Sequence, residues 1–240
     1  MSEWAAKRFW TVAEAAEAAG GYGVRLDGRM VRTPAKAELV VPTRALAQEI
    51  AAEWDAQEGE ITPATMPMTR AANAAIDRVA REREAVAAML AEYGGSDLLC
   101  YRADSPAELA ATQAAAWDPL LDWAESALSA RLRTTCGVMH VAQDAGAMER
   151  LHAEVRLLDI WALTAFHDLV SLSGSLVIGF AALRDHAPVK ALWRVSRVDE
   201  IWQEEQWGCD DEASAVAKRK ECDFLNAKRF HDLSRVRSRR

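Results

Sequence analysis

The chain has 240 residues, with 29 Lys+Arg against 36 Asp+Glu, a formal charge of −7. Half the residues are apolar, enough to build a packed core, so wholesale disorder is excluded. The negative balance also lacks the basic face that a general nucleic-acid binder needs to displace counterions. Forty-eight residues are Ala, and nine Trp outnumber three Tyr and five Phe. The four cysteines, Cys100, Cys136, Cys209 and Cys222, are widely spaced with no CxxC. That argues against a disulfide framework or a zinc site, fits a reducing compartment, and reads the thiols as small buried hydrophobes. Met1-Ser2-Glu3-Trp4 is not a basic start followed by an apolar run, so no secretory signal is expected there. The longest uncharged apolar stretch, residues 169–183, falls short of the roughly 20 residues of a bilayer span. It reads as a buried core helix, and no stable membrane insertion is expected.

Residues 9–42 read as strands. Tyr22–Asp27 alternates apolar and polar residues, and Asp27-Gly28 is a hairpin turn because Gly tolerates positive φ. Met30–Thr33 and Glu38–Val41 follow, completing a small antiparallel meander. Gly20-Gly21-Tyr22-Gly23 precedes a strand, so it reads as a turn and not as a dinucleotide fingerprint. From Thr43, a capping residue, the period becomes helical: Leu46, Ile50 and Trp54 recur on one stripe. Gly59, Pro63 and Pro67 mark an extended connection. The expected architecture is therefore α+β: residues 1–62 as a small N-terminal antiparallel β-rich domain with one helix, and residues 63–240 as a larger all-helical domain. Pro67 opens a helix running to about Tyr93, broken near Arg81–Arg83 and stopped by Gly94-Gly95. Ser105-Pro106-Ala107-Glu108 reads as a capping box, and Asp118-Pro119 as a second helix start. Further helices are expected at about 145–170, 173–185, 188–207 and 211–233, and the basic end (Arg235, Arg237, Arg239, Arg240) is expected to fray.

Catalytic motifs do not accumulate. The sequence has neither a phosphate-binding GxxxxGK[ST] nor a GxSxG elbow, and Ser171-Leu-Ser-Gly-Ser175 sits in an apolar run where small residues serve packing. In His167-Asp168, neighbouring helix positions diverge by about 100°, so the two side chains are not expected to face each other, and a structural histidine is the better reading. His140, His152, His186 and His231 lack metal-ligand spacing. Neither a metal nor a small-molecule cofactor is expected. Between Ser196 and Ala213 there are seven acids and one base; from Val216 onward there are nine bases and three acids. Trp193, Trp202 and Trp207 are interleaved with the acids, and on one unbroken helix residues 193, 200 and 207 share a face. A solvated helix face and a recognition surface are both consistent with that composition. Trp54, Trp117 and Trp123 read as packing residues.

The segments Leu26-Asp-Gly-Arg29, Arg32-Thr-Pro-Ala-Lys36, Leu39-Val-Val-Pro42, Glu53-Trp-Asp-Ala-Gln57, Met66-Pro-Met-Thr-Arg70 with Ala75-Ile-Asp77, Ser96-Asp-Leu-Leu-Cys-Tyr-Arg102, Trp117-Asp-Pro-Leu-Leu-Asp-Trp123, Ser173-Gly-Ser175 and Asp199-Glu200-Ile-Trp-Gln203 with Gln206-Trp-Gly208 resemble, in this order, one family. It is the assembly chaperone of the F₁ sector of ATP synthase that handles the α subunit, and the likeness covers residues 7–230. The resemblance implies a non-enzymatic chaperone that binds the unassembled α subunit and shields the surface later presented to β. It implies a β-rich N-terminal domain with a helical C-terminal one, and an important late acid that maps onto Asp199 or Glu200. Asp199, Glu200, Trp202, Gln203 and Trp207 are thus the expected partner-binding residues, and Trp54 a structural one. Eukaryotic relatives act in the mitochondrial matrix behind a presequence, so this chain is expected to be a bacterial member acting in the cytoplasm. The segment after Trp207-Gly208 is shorter than in eukaryotic relatives. Two other classes compete: a small-molecule enzyme using His167, Asp168 and Glu200 in a cleft of the helical domain, and a general adaptor protein.

Overall fold

The computed structural model describes residues 7–236, so Met1–Trp4 and the basic positions Arg237, Arg239 and Arg240 lie outside the described residues. Its contacts group the chain into two compact units. One is built on the chain up to Glu82 with residues 160–164 and the chain from Arg229; the other holds Arg83–Asp159 and residues 165–228. The segment 59–67, where composition places a junction, lies inside the first.

In the first unit, Gly20 at φ +85 turns β1 (Ala13–Ala18) into β2 (Gly21–Leu26), with Ala13 opposite Leu26 and Ala18 opposite Gly21. Asp27 (φ +45) and Gly28 (φ +81) then turn β2 into β3 (Arg29–Met30). The Asp27 carboxylate accepts backbone N–H groups from Thr11 and Val12, which hold its pKa below the usual carboxylate value. The sheet is antiparallel as expected, and the chain after β3 folds back on itself through an Arg32–Glu38 bridge and the Leu39 N–H to Val31 carbonyl bond; beyond it, β4 (Val40–Val41) departs from a simple meander and pairs with β2, at Tyr22 and Gly23. The reason is local. β3 is two residues long, and a Cβ on Gly21 would stand 2.3 Å from the Val41 carbonyl oxygen, so only glycine lets β4 dock beside β2.

Helix α1 (Arg44–Asp55) starts where the Thr43 hydroxyl accepts the Leu46 N–H at 3.1 Å, and it buries Leu46 and Ile50 completely. Near its end Glu53 accepts the N–H groups of Met68 (2.7 Å) and Thr69 (2.8 Å) and the Thr69 hydroxyl (2.7 Å), capping α2 (Pro67–Ala74). Burial outweighs these bonds and raises the Glu53 pKa. Trp54 is half-buried, edge-on to Trp10 with ring centres 5.2 Å apart. A π-helical turn, Ala75–Val79, leads into α3 (Ala80–Ala91), which kinks at Glu82 (φ −115, ψ 23), inside the break expected near Arg81–Arg83.

The second unit is mainly helical but not all-helical: β5 (Tyr101–Arg102) pairs in parallel with β6 (Thr135–Cys136). Between them α4 (Ala107–Leu128) is one continuous helix. Two expectations fail here. Pro106, not Ser105, occupies the cap position and no side chain caps the helix; and Pro119 lies inside α4 instead of starting a second helix. Proline removes one helical N–H bond, but Trp117, Leu120, Leu121 and Ala124 are all buried around it, and that packing holds the helix together.

Six helices follow: α5 (Ala145–Arg156), α6 (Ile160–Ser173), α7 (Leu176–Leu183), α8 (Val189–Val195), α9 (Val198–Trp207) and α10 (Asp211–Ser234). The expected helices 145–170 and 188–207 are therefore each two. Residues 169–183 are core apart from exposed Ser171 and half-buried Leu172 and Gly174, and are broken by a turn at Gly174 (φ +70); among the described residues no helix is long and apolar enough to cross a membrane. Every residue of α7 is buried. A Cβ on Gly179 would come within 2.7 Å of Val170 and 2.8 Å of Phe166, so the approach of α7 to that face of α6 requires glycine. Of the cysteines only Cys100 is buried, and burial pushes its thiol up to about 12; Cys136, Cys209 and Cys222 are exposed, against expectation.

Beneath the α6–α7 turn lies Asp97, fully buried. It accepts N–H groups from Leu99 (3.0 Å) and Val177 (3.1 Å), while the Ser175 hydroxyl caps α7 at the Ile178 N–H. Burial pushes the Asp97 carboxyl up to about 6 from 3.8 in an exposed chain. The folded state thus binds a proton that the unfolded state releases, and the stabilisation from the neutral acid is full below pH 4 and lost as pH rises through 6. The stability of the wild type relative to Asp97→Asn, which cannot titrate, should fall by ~2 kcal/mol between pH 4 and 7. Urea unfolding at a series of pH values measures this, and a pH-independent difference contradicts it.

Candidate partner-binding surface

Helix α9 is positioned by polar side chains of α4. Gln113, 2 % exposed, accepts the Ala103 N–H at 2.7 Å through Oε1 and donates through Nε2 to Asp199 Oδ1 at 2.7 Å. One turn later the buried Trp117 donates its indole N–H to the Val195 carbonyl at 2.9 Å, in the last turn of α8. Trp117 is itself held by Arg102, whose guanidinium lies 5.2 Å from the ring centre and pairs with Asp118 at 2.8 Å. Helix α4 therefore grips the chain on both sides of the α8–α9 break. At the break, the Ser196 hydroxyl donates to the Trp193 carbonyl and Arg197 pairs with Glu200 at 2.5 Å.

The break reorders the predicted tryptophans. Trp193 turns into the core, 5 % exposed with its ring 5.5 Å from Phe224. Residues 193, 200 and 207 do not share a helix face, because the helix that would align them stops at Val195 and restarts at Val198. The five predicted site residues all lie on α9. Asp199 and Glu200 are half-buried and bonded to Gln113 and Arg197. Trp202, also half-buried, lines an open groove of about 200 Å³ with Thr112, Val195, Val198 and Ile201, and Arg194 and Glu205 stand at the same groove. Gln203 is exposed, and Trp207 ends the helix with 80 % of its surface in solvent. Asp210, Asp211 and Glu212 continue the exposed acidic run beyond it. The basic stretch that follows is not one patch: Lys218, Arg219 and Lys220 are exposed, but Lys228 is buried and pairs with Asp185 at 2.6 Å.

The proposed acid–base trio is not assembled at this groove. His167 and Asp168 do meet, Nδ1 to Oδ1 at 2.9 Å, because side-chain rotation closes the 100° between their positions; the expectation that they diverge is wrong. Both are about half exposed, neither lines the groove, and Glu200 is engaged by Arg197. Among the described residues no group of three or more His, Cys, Asp and Glu side chains is placed to hold a metal ion. Sequence reasoning missed Gln113, Glu53 and Asp97. The signal for Gln113 was its place four residues before Trp117 in an otherwise apolar stripe of an alanine-rich helix.

Residues 7–125 match the family described as ATP12 chaperone protein. Atp12 from Paracoccus denitrificans, known from its crystal structure, is 48 % identical, with a TM-score of 0.93 over 97 % of this chain and 100 % of that one. A variant of the same protein with an aspartate replaced by lysine also superposes with a TM-score of 0.93, at 48 % identity, over 98 % of this chain and 100 % of its own. Protein atp12, mitochondrial, from Schizosaccharomyces pombe is 25 % identical over 222 residues, 88 % of this chain and 76 % of that protein.

The Gln113–Asp199 bond sets an expectation for stability. Asp199→Ala leaves a buried amide donor without an acceptor and should cost ~1–3 kcal/mol in chemical unfolding. Gln113→Leu also leaves the Ala103 N–H without its acceptor, so it should destabilise on its own, but the double variant should lose less than the sum of the two single losses; two strictly additive penalties would contradict the coupling.

Proposed function

We infer that this chain, which belongs to the ATP12 chaperone family of ATP synthase assembly, holds the unassembled α subunit of F₁ and shields the surface that α later presents to β. A chaperone of this kind carries out no chemistry. It must present enough apolar surface to bury, with enough charge around it to fix orientation and keep the free protein soluble. Helix α9 meets both needs. Trp202 and its groove accept an apolar side chain of the client, Trp207 supplies a large apolar surface, and Glu205 with Asp210, Asp211 and Glu212 steers a client surface carrying Lys or Arg. The bacterial relatives support the cytoplasm as the place of action.

The observation that carries this reading is Trp207: a tryptophan 80 % exposed at the end of an acidic helix whose other end is tied to a buried glutamine. Large exposed aromatics on anchored helices are the composition of binding hot spots. Asp199 and Glu200 act here less as direct contacts than as the groups that orient α9, since each already has a partner within the chain. Trp207→Ala and Glu205→Lys should each weaken capture of purified α subunit about tenfold or more, the equivalent of ~1.4 kcal/mol. Both should leave unfolding stability within ~0.5 kcal/mol of wild type, because the two side chains are exposed. Titration of α with the two folded variants checks this; undiminished affinity in both removes α9 from the contact surface.

A further inference from the structure

Strand β1 is the outer strand of the four-stranded sheet: β2 pairs with it on one side, and among the described residues no strand pairs with the other. The hydrogen-bond phase of the ladder shows which groups face outward. The Asp27 N–H donates to the Val12 carbonyl, so Val12 and Asp27 are a hydrogen-bonded pair. Such pairs alternate along an antiparallel ladder, which makes Glu14–Arg25, Ala16–Gly23 and Ala18–Gly21 the others. The N–H and C=O groups of Ala13, Ala15 and Glu17 therefore point away from β2, along an open edge of six residues, about 20 Å long.

Helix α1 packs against β1, but among the described residues no strand blocks its edge. It contains no proline and no lysine, and its side chains are Ala apart from Glu14 and Glu17, both exposed. Glu14 sits opposite Arg25 on β2, but Glu17 sits opposite Tyr22, so its charge has no cross-strand partner. Alanines offer no bulk that would keep a new strand away, and the two glutamates favour a strand that carries Lys or Arg. Pairing with β1 of a second copy would bring four carboxylates along one seam, which is unfavourable.

We propose that β1 captures an extended, basic strand of the client by adding it to the sheet edge through Ala13, Ala15 and Glu17. The proposal rests on the reading of this chain as a chaperone of the α subunit, and it names a second contact, made of backbone, in addition to α9. Backbone pairing suits a chaperone whose client is not yet assembled, since a strand whose final neighbours are missing has its own unpaired N–H and C=O groups.

The test is residue-resolved amide hydrogen exchange on the full chain, alone and bound to purified ATP synthase α subunit, together with the variant Ala15→Pro. Proline at 15 removes an outward N–H and leaves every bond to β2 intact. The expected result is that the amides of Ala13, Ala15 and Glu17 exchange fast in the free chain and at least tenfold more slowly in the complex. Those of Glu14, Ala16 and Ala18 should already be protected. Ala15→Pro should capture α at least tenfold more weakly. Capture of α with no new protection at residues 13, 15 and 17 overturns the strand contact while leaving the chaperone reading in place. Protection that grows with protein concentration in the chain alone assigns the edge to a second copy and also overturns it. Failure of the wild-type chain to capture α removes the chaperone reading, and the strand contact with it. Should Ala15→Pro not fold, the wild-type exchange pattern decides alone.

Discussion

The structure of the proposed recognition surface depends on one buried amide. Gln113 has no contact with water to fall back on, so its two ends must be satisfied inside the protein, by the Ala103 N–H and by Asp199. That requirement fixes the start of α9 against α4. The Trp117–Val195 bond fixes the end of α8 one turn away, and the chain between must bend at Ser196–Arg197. The bend buries Trp193 while α9 emerges with Trp202 half-covered and Trp207 free. A surface held in this way loses little conformational entropy on meeting a partner, which is how a small contact area becomes useful.

The segments that resemble the chaperone family fall into place as pairs. Glu53 of Glu53-Trp54-Asp55 caps the helix opened by Pro67-Met68-Thr69. Thr33, in Arg32–Lys36, donates to Asp77 at 2.7 Å, and the Ala35 N–H reaches the same carboxylate at 3.0 Å. Asp97 accepts from Val177, just past the Ser173-Gly174-Ser175 turn, and Arg102 holds Trp117 and Asp118. Each of these pairs is made within the chain. In the last segment the pattern changes: Asp199 turns inward, whereas Gln203, Gln206 and Trp207 face solvent. Internal bonding therefore separates the family-like residues that build the scaffold from those left exposed to solvent.

Some of this was legible in the sequence because the signals are local. Asp27-Gly28, the Thr43 cap, the Leu46–Ile50 stripe and the Arg81–Arg83 break depend on a few neighbouring residues and appear where they were expected. The failures needed knowledge of distant partners. Pro119 reads as a helix start until Trp117 and Leu121 are seen buried around it, and β4 chooses β2 because Gly21 leaves room. The run 188–207 reads as one helix because nothing in its composition reveals that Trp117 binds Val195 from 78 residues away. Exposed Cys136, Cys209 and Cys222 show the same limit, since burial is a property of the packed chain and not of the residue type.

Net charge says nothing of where the acids and bases stand, whereas their distribution along α9 and α10 does. Glu205, Asp210, Asp211 and Glu212 remain in solvent, while the basic side of the pattern is partly consumed by the pair that Lys228 makes with Asp185. The central claim is that the outer face of α9 lies against the client. The most direct measurement is to replace exposed Gln203 with the photoreactive residue p-benzoylphenylalanine and irradiate the complex with the α subunit. The account predicts a covalent adduct with α whose cross-linked peptide maps to the surface that α presents to β. Undiminished capture of α with no adduct from position 203 would contradict it.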